Sequence, residues 1–321
     1  MSRLGLLAAR AASIASILGM MKSQSFSWAF SWGRVAVMTA AGAAALASCA
    51  PAGKPQADGA SDADSDGVQT GFGPTFVSLN PCTDAILVAV AEPEQILALS
   101  HYSRDPRSSS IEAEVAERFA ITGGTAEEVF VLAPDVVLAG AFLQPATSQA
   151  FADQDLQVAT FGIASEVKAS FAQIRRIAEL AQHPDRGETL IEEIEASLGR
   201  NIAPAGASNI SAVLWQPGQV VPGEQTLIAQ LMSRAGFASH SAAKGLGQAD
   251  YLTLEQLLAD PPDVLLVAGN TRAQHHSALA AMDGTQIEQF DPGLLYCGGP
   301  TIIRAMDRLG EIRSKIKQVQ S

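Results

Sequence analysis

At 321 residues the chain is longer than a single hydrophobic core usually organises, and with 47% apolar residues it has material for two. The net charge is −12; none of the first 48 residues is acidic and four are basic (Arg3, Arg10, Lys22, Arg34), so the remainder carries −16. A body this acidic argues against nucleic acid and anionic lipid surfaces as partners, since both require a basic face.

The N-terminus reads as a targeting segment. Lys22 and Arg34 precede an apolar run of small residues from Val35 to Ala47, too short to span a bilayer comfortably but suited to the core of a secretory signal. It ends Leu46-Ala47-Ser48-Cys49, which resembles the lipobox of bacterial lipoproteins, so residues 1–48 are expected to be removed and Cys49 acylated. An ordinary cleaved signal with an incidental Cys is the plainer alternative, and residues 1–20 could be an upstream extension. Residues 49–73 hold Pro, Gly, Ser and four Asp with almost nothing to bury, the composition of a disordered tether. Such a tether reaches roughly 25 Å.

Residues 74–165 read as a first α/β lobe. Phe76 to Leu79 is a strand, Asn80 to Thr83 a turn and Asp84 to Val90 a helix with Thr83 as its cap. Ile96 to Leu99 is the next strand, opening into the polar loop His101 to Pro106. Thr125 to Gly140 (TAEEVFVLAPDVVLAG) is then nearly copied by Thr253 to Gly269 (TLEQLLADPPDVLLVAG). In each copy a Thr followed three residues later by Glu or Gln predicts a capping box, Pro stops the helix, and a Val/Leu run ended by Gly predicts a strand buried on both faces. Val158 to Phe161 closes the first lobe as a further strand.

Residues 166–202 are helical, with apolar residues at helical spacing from Phe171 to Ala181 and again from Leu190 to Leu198. They are expected to connect the lobes. In residues 203–321, strands are predicted at Ser211 to Trp215, in the second repeat copy and at Ile287 to Phe290. Helices are predicted at Thr226 to Ala235, Leu279 to Met282 and Thr301 to Val319. Strands alternating with helices in two related halves predict two Rossmann-like α/β lobes with parallel sheets and a ligand cleft between them.

The carboxyl ends of the predicted strands present Asn80, Cys82, Tyr102, Arg104, Phe142, Trp215, Tyr296 and Cys297 as cleft candidates. Aromatic faces suit a flat macrocycle or catecholate, and Arg104 could grip an anionic chelate bidentately. Cys82 and Cys297 fall one in each lobe. A disulfide that would lock the site, soft ligation of a metal chelate, and two unpaired small residues all remain open. The five His are scattered, which speaks against a bare metal-ion site. An enzyme using Cys82 or Cys297 with His101 as base is a weak reading, because no nucleophile elbow or phosphate loop is present.

The ordered set SLNPCTDAILVAVAEPEQILALSHYSRDP, EEVFVLAPDVVLAG, one linking helix, PGEQTLIAQLMSRAG and YLTLEQLLADPPDVLLV resembles periplasmic binding proteins of ABC importers, in the subgroup serving cobalamin and iron–siderophores. The resemblance implies two lobes joined by a single long helix, with the ligand between them and no catalysis and no cofactor. An iron–siderophore is the expected cargo, or a related metal chelate such as cobalamin. It implies an ABC permease and its ATPase as partners, a monomer held in the periplasm by its lipid anchor alone, and docking through one acidic residue per lobe. Those positions match Glu127 and Glu255.

Overall fold

A computed structural model describes residues 73–206 and 209–320. The expected signal segment, Cys49 and the expected tether up to residue 72 lie outside the described residues. The first lobe runs β1 (Phe76–Ser78), α1 (Pro81–Val90), β2 (Ile96–Ser100), α2 (Ala113–Ala116), β3 (Ile121–Thr122), α3 (Ala126–Leu132), β4 (Val136–Gly140), α4 (Pro145–Asp153) and β5 (Gln157–Phe161). Helices α5 (Val167–Leu180) and α6 (Pro184–Arg200) follow. The second lobe is β6 (Ile210–Trp215), α7 (Leu227–Arg234), β7 (Phe237–Ser239), α8 (His240–Ala243), α9 (Leu254–Ala259), β8 (Val264–Val267), β9 (Gln286–Gln289) and α10 (Thr301–Gln320).

Both sheets are parallel throughout, ordered β3-β2-β1-β4-β5 and β7-β6-β8-β9. In each, the chain starts on a central strand, winds outward to one side, then returns to the other side of that strand. The reversal falls between β1 and β4 and between β6 and β8. These are the points where crossover connections leave on opposite faces and a crevice opens beyond the strand ends.

The repeated segment plays the same part in each lobe. Thr125 and Thr253 each accept the backbone N–H three residues on, at 3.3 Å in both copies. Only the second copy completes the capping box, with Thr253 N–H donating to Gln256 Oε1. In the first copy, the Glu128 carboxylate turns instead to Thr122 Oγ1 (2.7 Å) and Gly123 N–H (2.6 Å). These two bonds hold its pKa below the usual carboxylate range. The repeated Asp after proline also acts alike in both lobes, Asp135 accepting from Thr75 N–H at 2.7 Å and Asp263 from Ser211 N–H at 2.8 Å. Each carboxylate therefore pins the start of its lobe's central strand. The strands that follow are buried on both faces, as Val136 to Ala139 and Val264 to Val267 show.

Asn80, not Thr83, caps α1, its Oδ1 accepting from Cys82 N–H at 2.8 Å and Thr83 N–H at 3.4 Å. The helix consequently begins at Pro81, where a missing N–H costs nothing. Strands β3 and β7 and helix α4 were not legible, being short or weakly patterned. One apolar cluster extends from Phe76 and Leu87 through Ile174 and Ile194 to Leu214 and Ile302. Lobes and linking helices thus share a core, which disfavours wide hinge motion.

Candidate functional site

The carboxyl ends of the strands open on three adjoining cavities. One of about 330 Å³ lies over the first sheet and is lined by Asn80, Ser100, His101, Tyr102, Thr122 and Phe142, among others. One of about 890 Å³ lies over the second and includes Pro217, Asn270, Phe290 and Tyr296, with Pro106 and Arg107 from the first lobe. A recess of about 60 Å³ between them shares Asn80 and Phe142 with the first and Tyr296 with the second. Together they form a cleft between the lobes, sited at both strand-order reversals.

Five residues expected at the cleft line it, Cys82 among them in the recess. Asn80 sits at the end of β1, beside Gly140, where an added Cβ would come 2.8 Å from the amide nitrogen of Asn80. Tyr102 is 43% exposed and its ring lies 4.0 Å from that of His101. Phe142 is 86% exposed. Tyr296 is 55% exposed, and its hydroxyl donates to Gln216 Oε1 at 2.8 Å. Partial burial pushes its phenol pKa up.

Three others, Trp215, Arg104 and Cys297, line none of the three cavities. Trp215 is fully buried: side chains alternate along β6, so Val213 and Trp215 face the outer apolar layer and not the cleft. Its indole N–H donates to Leu252 O at 2.9 Å. Arg104 donates to Phe119 O at 3.1 Å and borders a further cavity of about 150 Å³, which shares Pro106, Asp291 and Arg304 with the larger one. It is not among the residues that line the three cleft cavities. Cys82 and Cys297 form a disulfide across 215 residues of sequence, with Cα atoms 4.9 Å apart. That corrects both soft ligation and unpaired thiols. The bond leaves cavities of about 330 and 890 Å³ beside the recess that Cys82 lines.

The charged rim of the cleft was not legible in the sequence. Arg107, Arg304 and Arg308 all border the larger cavity, and each is already matched. Arg107 pairs with Asp105 at 3.0 Å, Arg304 with Glu112 at 2.9 Å and Asp291 at 3.5 Å, and Arg308 with Glu288 and Glu311, each at 2.8 Å. The smaller cavity and the recess have no Asp, Glu, Lys or Arg in their linings. The four-residue spacing of Arg304 and Arg308 on α10 was the only available signal. Among the described residues, no three of His, Cys, Asp and Glu gather as a metal site.

Behind the cleft wall, Asp84 is fully buried. It accepts from Ser100 Oγ at 2.5 Å, Ser103 Oγ at 2.6 Å and Ser100 N–H at 3.2 Å, so it fixes the turn carrying His101 and Tyr102. Burial raises its pKa from 3.8 to about 6, against the lowering effect of the Ser100 and Ser103 hydroxyls. The folded protein therefore binds a proton that the unfolded chain releases between about pH 4 and pH 6. Acidification through that window stabilises the fold through this group, by about 3 kcal/mol at most. Urea unfolding midpoints of wild type and Asp84→Asn should show the wild type gaining more from pH 7 to pH 5. Parallel pH profiles would contradict this.

Glu127 and Glu255 are both exposed in the first turns of α3 and α9. A hydrogen bond from its own backbone N–H, then one from the Thr253 hydroxyl, hold Glu255 below the usual carboxylate range.

Residues 76–289 match the family model described as periplasmic binding protein. The fold is similar to that of the periplasmic heme-binding protein of Roseiflexus sp. RS-1 in its apo form, at 22% identity and TM-score 0.61, covering 74% of this chain and 97% of that one. It is also similar to the periplasmic heme-binding protein of Vibrio cholerae (16% identity, TM-score 0.62, covering 74% and 98%). The periplasmic vitamin B12 binding protein of Vibrio cholerae is a further likeness (16%, TM-score 0.57, covering 75% and 96%). No curated protein sequence matches the chain.

Proposed function

We propose, on the premise that the chain belongs to the periplasmic binding protein family, that it captures an iron–siderophore or related metal chelate of low net charge in the interlobe cleft. It then delivers that ligand to an ABC permease driven by an ATPase. The observation that carries this reading is the joined cleft, lined by the exposed rings of Tyr102, Phe142 and Tyr296 and bordered by arginines that already have carboxylate partners. Aromatic faces favour an extended, flat ligand. A highly anionic chelate would have to break an existing ion pair to gain a cationic one. The heme- and vitamin B12-binding proteins of similar fold support a metal chelate as cargo, with a corrinoid as the alternative within that class.

On this reading Glu127 and Glu255 present carboxylates to basic pockets of the permease, one from each lobe. Cys49 carries the lipid that keeps the receptor at the extracytoplasmic face of its membrane, and the protein acts as a monomer without catalysis. Calorimetric titration with ferrioxamine, cyanocobalamin and a trianionic ferric tris-catecholate tests the cargo. At least one low-charge chelate should bind one-to-one at about 1 μM or tighter, and the tris-catecholate at least about tenfold more weakly. Preference for the trianion, or no binding to any of the three, would overturn the assignment.

A further inference from the structure

We propose that the Cys82–Cys297 disulfide is a thiol-exchange site opening onto the ligand cleft, and that its reduction by a small-molecule thiol unlatches the two lobes. The bond joins the start of α1 in the first lobe to the segment entering α10 from the second. Tyr296, immediately beside it, lines both the recess and the larger cavity. The next residues are threaded against the first lobe and α5: Gly299 N–H donates to Ser170 Oγ at 2.7 Å, and an added Cβ on Gly299 would meet Ile86 at 2.6 Å. Besides α5 and α6, the second lobe also meets the first where Ser110 Oγ donates to Gly293 O at 3.2 Å and Arg304 pairs with Glu112 at 2.9 Å, and the disulfide is the covalent fastening among these contacts.

The two sulfurs differ in access. Cys297 is 3% exposed, whereas Cys82 is half-buried and lines the recess. A small thiolate entering the cleft attacks Cys82 Sγ; the S–S bond breaks and Cys297 leaves as a thiolate that takes up a proton. A second thiol attacks the small-molecule sulfur of the mixed disulfide, expelling Cys82 as thiolate. Two thiols are oxidised to one small disulfide, and the protein gains two electrons and two protons. Cys82 lies in the first turn of a ten-residue helix, and the positive end of that helix favours its thiolate as leaving group. Oxidised, the bond holds Tyr296 in the cleft; reduced, only non-covalent contacts hold the strip.

The consequence for transport rests on the cleft reading above, but the test needs no ligand. The folded, ligand-free protein is treated with millimolar 2-mercaptoethanol and followed by thiol counting, circular dichroism and hydrogen exchange, with Cys82→Ser/Cys297→Ser as a permanently unlatched control. Exchange at residues 295–300 should rise at least about tenfold in both samples with the fold retained, and a mixed disulfide should be trapped on Cys82. Three results would overturn the latch: a disulfide that resists the thiol until the protein unfolds, unchanged exchange after reduction, or global unfolding on reduction.

Discussion

Glu127→Lys combined with Glu255→Lys should abolish permease-dependent uptake while the affinity for chelate is unchanged. Neither carboxylate lines the cleft, and both stand exposed at the first turn of equivalent helices. Losing one partner of a desolvated charge pair costs about 2–5 kcal/mol, so reversing two should weaken docking by at least about a thousandfold. A lysine in the first helical turn also opposes the helix dipole, costing about 0.3–1 kcal/mol at each site. That penalty is too small to unfold the protein, and thermal melting of the double variant separates the two effects. Reconstituted uptake in proteoliposomes supplies the readout, with each single reversal expected to fall between wild type and the double variant. Undiminished uptake by the double variant would remove the docking role.

Cys82→Ser/Cys297→Ser should lower the melting temperature by about 10–20 °C. The bridge closes a loop across 215 residues of sequence, and the chain-entropy model assigns a loop of that length about 5 kcal/mol. For a folded body of this size each kcal/mol corresponds to about 2–4 °C. The shared core from Phe76 to Ile302 should keep the variant folded at room temperature. A shift of only a degree or two would mean that the unfolded chain is already compact enough to lose little on cross-linking.

Much of the architecture was legible because it is written twice. The paired Thr, Pro-Asp and Val/Leu runs announced helix, stop and buried strand, and both copies fold that way. Less visible was the reason for the repeated Asp. Asp135 and Asp263 secure strand starts that lie 60 and 52 residues away in sequence, and no local pattern reveals a partner at such range. Capping in the first copy misled for a related reason, because Glu128 found a stronger set of donors at Thr122 and Gly123 than the backbone of Thr125 offered.

The cleft was harder to read than the frame. Strand ends located Asn80, Tyr102, Phe142 and Tyr296, since loops after parallel strands must pass there. The end of β6 also suggested Trp215, but period-two alternation turned that ring to the opposite face. It therefore reports on the outer layer of the second lobe, and the tyrosines are the better optical probes of the cleft. Arg104 looked like the natural anion clamp, whereas the cleft arginines come from residue 107 and from α10, and their charge is spent on neighbouring carboxylates. Ion-pair partners such as Glu112 and Glu288 carry no sequence mark of that role. The disulfide was one of three options from sequence, and only the return of the last segment onto α1 selects it.

Native mass spectrometry of the protein recovered from its own cells, with metal analysis of the released ligand, tests the proposed function most directly. One small molecule per chain should be found, carrying a single iron or cobalt and recovered chemically unchanged. A metal-free ligand, or a bound molecule converted to product, would contradict a chelate receptor.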